Sequence, residues 1–104
     1  MKLWLDDLRD PEQHGAIGFQ WAKTYDEAIA LLASGEVEFA SLDHDLGDCR
    51  ECEIAVCPHE KTGYDVVCWM EGHNVWPVNG VKVHSANPVG KARMMQVIDR
   101  HYQG

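Results

Sequence analysis

Val37-Glu38-Phe39-Ala40-Ser41-Leu42-Asp43-His44-Asp45 decides the fold, because a short β-type run, Val37 to Leu42, breaks off into acids at its C-terminal end. The chain opens on the same pattern, with Lys2 to Leu5 as a β-type run closed by Asp6-Asp7. Between the two, Asp10-Pro11 begins a turn or loop that Gly15 and Gly18 keep irregular, and Phe19 to Ala22 reads as a further strand. Thr24 and Glu27 then stand at capping-box spacing, N-cap and N3, ahead of a helix whose buried side carries Ala28, Ile29, Leu31 and Leu32 and which stops near Ser34-Gly35.

Working the other way from Asp45, a cysteine-bearing loop runs from Gly47 to about Lys61. Thr62 caps a second helix, with Asp65 at N3, apolar cover from Val66, Val67, Trp69 and Met70, and Gly72 to close it. Val81 to Val83 is a fourth strand, followed by His84-Ser85-Ala86. Asn87 as N-cap and Pro88 at N1 start a last helix that packs through Met94, Met95, Ile98 and Tyr102. Strands alternating with helices imply right-handed crossovers and a mostly parallel sheet. In the common order 2-1-3-4 the first and third strands are neighbours, and the crevice between them is where open α/β sheets bind ligands. Both acid clusters fall at that crevice.

The 104 residues form one domain, 1–104, with 45% apolar and 25% charged residues, as in soluble globular proteins. A formal net charge of −8 argues against an extended nucleic-acid groove, since such grooves neutralise phosphates with Lys and Arg. The cations that do cluster, Lys91, Arg93 and Arg100, are explained equally by a solvated helix face. No stretch approaches the ~20 apolar residues of a membrane span, and the opening runs into acids too early for a signal peptide. A cytoplasmic location is the expectation. Carboxylates bunched at Asp6-Asp7 and again from Asp43 to Asp48 repel unless a proton or a cation intervenes, which points to metal.

Four spaced motifs resemble the cyclic-phosphate processing receiver domain family: Trp4-Leu5-Asp6-Asp7-Leu8-Arg9-Asp10-Pro11, Ser41-Leu42-Asp43-His44-Asp45-Leu46-Gly47, Thr62-Gly63-Tyr64-Asp65-Val66-Val67, and His84-Ser85-Ala86-Asn87-Pro88-Val89-Gly90. The resemblance covers nearly the whole chain. It implies a receiver-like, flavodoxin-like (Rossmannoid) three-layer sandwich on a four-stranded parallel sheet, with the cysteine-rich loop as an insertion. It also implies a diverged response-regulator receiver acting on cyclic phosphates such as those at RNA ends. Asp6-Asp7 is similar to the metal-binding acid pair of phosphoacceptor receivers, Asp43 to their phosphoacceptor, and Ser85 to their hydroxyl residue after the fourth strand. The chain departs from those receivers in having no fifth strand and no matching lysine, and in carrying His44 and His84. Phosphotransfer signalling through Asp43 is therefore the alternative, and a non-catalytic zinc-stabilised module for phosphate ends or a protein partner is the third reading.

Residue by residue, Asp6, Asp7 and Asp43 can hold Mg²⁺ or Mn²⁺, although acids after strands are also ordinary solvated loop residues. His44 and His84 end neighbouring strands and can flank a phosphate as general base and acid, with Asp45 orienting one of them; either can instead simply bond a carboxylate. Strand alternation aims His44 away from Asp43 and Asp45 unless the strand is already breaking into loop. Arg9 reaches back as a phosphate ligand or as a salt bridge to Asp7 or Asp45, and Ser85 with the free amides after it makes an anion cradle. Asn87 is a cap first and a phosphate ligand second. Cys49, Cys52, Cys57 and His59 offer the three thiolates and one imidazole of a closed structural zinc site in the loop at 47–61, free thiols being the other reading. Cys68 reads as a core residue beside Trp69. The tryptophans read mostly as core, with Tyr64 and Trp76 nearest to loops. The expected function is metal-assisted phosphoesterase processing of a cyclic phosphate on a nucleotide or RNA end.

Overall fold

The computed structural model describes residues 1–44 and 61–103. Asp45 and the proposed zinc ligands Cys49, Cys52, Cys57 and His59 lie outside the described residues. Four strands, β1 (Lys2–Leu5), β2 (Phe19–Ala22), β3 (Phe39–Leu42) and β4 (Val81–Val83), pair in parallel in the order β2-β1-β3-β4. Three helices, α1 (Tyr25–Ala33), α2 (Gly63–His73) and α3 (Pro88–Gln103), supply the crossovers among the described residues. None of them is long and apolar enough to cross a membrane.

Local chemistry sets the helix starts. Thr24 Oγ1 accepts the Glu27 N–H at 3.1 Å, and Glu27 Oε2 reaches back to the Lys23 N–H. Asp65 Oδ2 accepts the Thr62 N–H at 2.7 Å, and Asn87 Oδ1 accepts the Gly90 N–H at 3.0 Å. The ends differ from expectation in one place. α2 does not stop at Gly72; it runs through His73, and Asn74 takes the left-handed capping conformation at φ 53°.

Strand alternation divides the sheet into two unlike faces. Leu3 and Leu5, Ala22, Ala40 and Leu42, and Val83 share one face and are buried against Ala28, Leu32, Val66, Val67, Met70, Met94, Val97 and Ile98 of the helices. Burying the valine, leucine, isoleucine and methionine side chains of this set, each contributing about 1.5–3 kcal/mol relative to exposure, is the main force holding helices to sheet. Ile29 and Leu31 are only half-buried at the edge of this core. Cys68, expected in the core, is exposed: α2 turns Val66, Val67 and Met70 inward, which leaves position 68 on the outer stripe.

On the opposite face Trp21, Trp4, Ser41 and Lys82 form one register row. A short 3₁₀ turn, Pro11–His14, lies on this side, with the His14 ring 6.1 Å from that of Trp4. Pro11 at its head and Gly15, left-handed at φ 80°, keep the β1–β2 link to that single turn. Among the described residues, the helical layer of the three expected is formed by α1, α2 and α3, and its counterpart is this thin cover.

Candidate metal and phosphate site

The parallel ladder continues one residue beyond each strand. Asp6 N–H donates to Ala22 O at 3.0 Å, Asp43 N–H to Leu5 O at 2.9 Å, and His84 N–H to Leu42 O at 2.9 Å. Because Leu5, Leu42 and Val83 are in register, Asp6, Asp43 and His84 make up the next row, on the face that carries Trp4 and Ser41. One donor atom from each lies within 4.8 Å of the others. Asp6 is 1% exposed and Asp43 7%. Charged groups are seldom buried this far without a partner.

Each member is held by bonds that leave an atom aimed at the other two. Asp6 Oδ1 accepts the Leu8 and Arg9 N–H groups, both at 2.9 Å, a tight turn that fixes the carboxylate. Its Oδ2 faces His84 Nε2 at 3.1 Å. The other ring nitrogen of His84, Nδ1, meets Ser41 Oγ at 2.8 Å. Trp4 lies parallel to the imidazole, 4.0 Å between centroids and 6° between planes, and its indole N–H donates to Arg9 O. Arg9 in turn donates from Nη1 to the His84 carbonyl at 3.3 Å. Asp43 Oδ1 accepts the His44 N–H at 2.8 Å, and Ser85 hydrogen-bonds the same side chain.

Electrostatics follow from this burial. Desolvation, with the Asp6 carboxylate second, pushes the Asp43 carboxyl up; the His44 N–H, His84 and Ser85 offset part of this. Desolvation also lowers His84, against the pull of Asp6 and Asp43, so its imidazole is held toward the neutral form. A neutral imidazole has a lone pair to give, and two facing carboxylates need a cation or a proton between them. The donor set of two carboxylates and one imidazole therefore fits a divalent metal, and the cluster is able to hold one.

Other expected site residues are placed differently. Asp7 and His44, each one residue past a cluster acid, are half-buried and stand outside this donor group. The His44 ring lies against Gly90 in the first turn of α3, on the helical side, where a Cβ on Gly90 would strike it. Alternation thus sends His44 and His84 to opposite sides of the sheet edge. Ser85 Oγ also accepts the Asn87 N–H at 3.0 Å, and Asn87 commits its carbonyl oxygen to capping α3. Arg9 bonds a main-chain carbonyl beside the cluster.

Two contributors were not singled out from sequence. Ser41 enters the sequence reading only within a motif and Trp4 reads as core, yet each stands two residues before a cluster acid and so on the cluster's own face. Counting in twos from Asp43 and Asp6 would have found both. His84 as a third metal donor, and not only as a proton carrier, needed the register between β3 and β4.

Comparison with curated proteins and with solved structures gives no match. The model of the cyclic-phosphate processing receiver domain family, by contrast, matches residues 1–100. With that match over almost the full length, a parallel sheet in receiver order and a metal-competent Asp6–Asp43–His84 row at its switch point, this chain belongs to the cyclic-phosphate processing receiver domain family.

Proposed function

We propose that the protein is a metal-assisted phosphoesterase that hydrolyses a cyclic phosphodiester, on a nucleotide or an RNA end, to a monoester. The observation that carries this reading is the buried row of Asp6, Asp43 and His84 at the strand ends. These three residues would hold the cation. When bound, it polarises a phosphate oxygen and neutralises developing charge. An imidazole among the donors favours Mn²⁺ over Mg²⁺, which prefers oxygen alone.

The chain's other residues handle the phosphate and the proton. Arg9, tethered through Nη1, keeps further guanidinium N–H groups for phosphate oxygens. Ser85 and the N-terminal turn of α3 favour the same negative charge. Water forms the new bond to phosphorus, one ring P–O bond breaks, and the released oxygen takes a proton. His44, on the helical side of the sheet edge, would move that proton through an intervening water, with Asp45 orienting it or ligating through water, and Asp7 would supplement the charge near the cation. The cysteine loop, through Cys49, Cys52, Cys57 and His59, would hold a structural zinc, in a cytoplasmic protein.

The test is phosphorus NMR of an oligonucleotide ending in a 2′,3′-cyclic phosphate, with Mn²⁺, with Mg²⁺ and with a chelator. Conversion to a monoester is expected with Mn²⁺ and not with the chelator. Asp43→Ala should lower the rate by about 10²–10³-fold and His44→Ala by about 10²-fold. Turnover indifferent to chelator and to Asp43→Ala would sink the reading, and tight binding without product would mark a recognition module instead.

A further inference from the structure

Ser41 is a buried hydroxyl, 4% exposed, in a strand whose other residues are Phe39, Ala40 and Leu42. Its Oγ lies 2.8 Å from His84 Nδ1 while His84 Nε2 faces Asp6 Oδ2 at 3.1 Å. An ionised carboxylate only accepts, so without a cation the ring proton sits on Nε2 and Nδ1 accepts from the Ser41 hydroxyl. A cation among Asp6, Asp43 and His84 requires the lone pair of Nε2, and the proton must then sit on Nδ1. Turning the ring over is no way to achieve this, because a half-turn puts Cδ2 and Cε1 where Nδ1 and Nε2 now meet Ser41 and Asp6. The tautomer has to change in place.

We infer that Ser41 is the positioning residue that makes this change possible, its hydroxyl switching from donor to acceptor as a divalent cation enters the Asp6–Asp43–His84 row. The inference rests on the metal reading of the site given above. The exchange is balanced: Nε2 loses a proton, Nδ1 gains one, and the imidazole stays neutral. A hydroxyl serves both states because it carries one donor and two acceptor sites; a methyl group serves neither. Partners that orient a ligating histidine are typically worth 10–100-fold in metal affinity, whichever residue supplies them.

The experiment is a Mn²⁺ titration followed by electron paramagnetic resonance on the full chain, its Ser41→Ala variant and its Ser41→Thr variant. Pulsed spectra report imidazole nitrogen at the ion, and ¹⁵N NMR of the cation-free ring reports the tautomer. Supporting results are a proton on His84 Nε2 without cation, imidazole coupling in the Mn²⁺ form, affinity about 10-fold weaker in Ser41→Ala, and recovery in Ser41→Thr. A cation-free Ser41→Ala chain that still unfolds in one cooperative transition, its midpoint lowered by no more than the loss of the Ser41–His84 hydrogen bond, separates this role from a packing defect. Ser41→Ala binding Mn²⁺ as tightly as the parent, or a cation-free ring protonated on Nδ1, overturns the inference. A parent chain that binds no Mn²⁺ overturns the metal reading and this inference together, a pattern distinct from the other two.

Discussion

At Asp43 and His84, burial acts on two charges of opposite sign and produces one result, a site biased against carrying charge when empty. The Asp43 carboxyl is raised above its ordinary 3.8, so its proton favours the folded chain, and that contribution is lost as pH rises through the folded value. His84 is lowered from 6.5, so its contribution is present above 6.5 and lost as pH falls below it toward the folded value. A cation needs Asp43 ionised and His84 neutral. Apparent Mn²⁺ affinity should therefore climb from about pH 4 to about pH 7 and level off above it, as calorimetric titrations across that window would read. In Asp43→Asn the affinity should be lower throughout and the dependence shallower; a flat profile in the parent would remove Asp43 from the donor set. The acids and histidines were legible as types at strand ends. Which of them converge was not, because that depends on how far regular pairing outlasts the strands, and Asp43 N–H still bonding Leu5 O is a tertiary fact.

Among the elements, the two close approaches to helix glycines differ in what they would strike. A Cβ on Gly63 meets the main-chain carbonyl of Asp43, which has nowhere to go without moving β3 or α2. One on Gly90 meets the His44 imidazole, a side chain that can rotate. Gly63→Ala should lower stability in urea by about 1–3 kcal/mol, whereas Gly90→Ala should unfold near the parent's midpoint and lose turnover by displacing His44. Equal destabilisation by both would mean that His44 is wedged rather than seated. Helix starts were readable because capping chemistry lies within a few residues of Thr24, Thr62 and Asn87. The end of α2 was not: Gly72 carries the usual stop signal, but Asn74 closes the helix with its N–H on Glu71 O and that of Val75 on Met70 O. Cys68 misled for a related reason, since a cysteine beside Trp69 reads as apolar until the helix phase is fixed by Val66, Val67 and Met70.

For the molecule as a whole, a cation that binds the folded chain must stabilise it by mass action. Mn²⁺ at a hundredfold excess over its dissociation constant adds about 2.7 kcal/mol, which for a domain of this size raises the thermal midpoint by about 10–20 °C. Scanning calorimetry should show that rise in the parent and little of it in Asp43→Asn. The sheet order was legible as the common order of a parallel α/β sheet, which brings both acid-ended strands to the switch point; the thinness of the layer over Trp4 was not, since nothing in a strand's own residues says how much chain will cover its outer face. The row formed by Asp6, Asp43 and His84 has one more implication. The donor set amounts to a counting rule, one residue taken from the same position on each of three strands. If β3 slipped by a single residue, His44 would take Asp43's place, giving one carboxylate and two imidazoles, a set suited to softer metals. The same slip would turn Asp43 into the apolar core and Leu42 out of it. Misfolding and loss of this donor set are then one event, so a chain that folds at all has already fixed which donors a cation would meet.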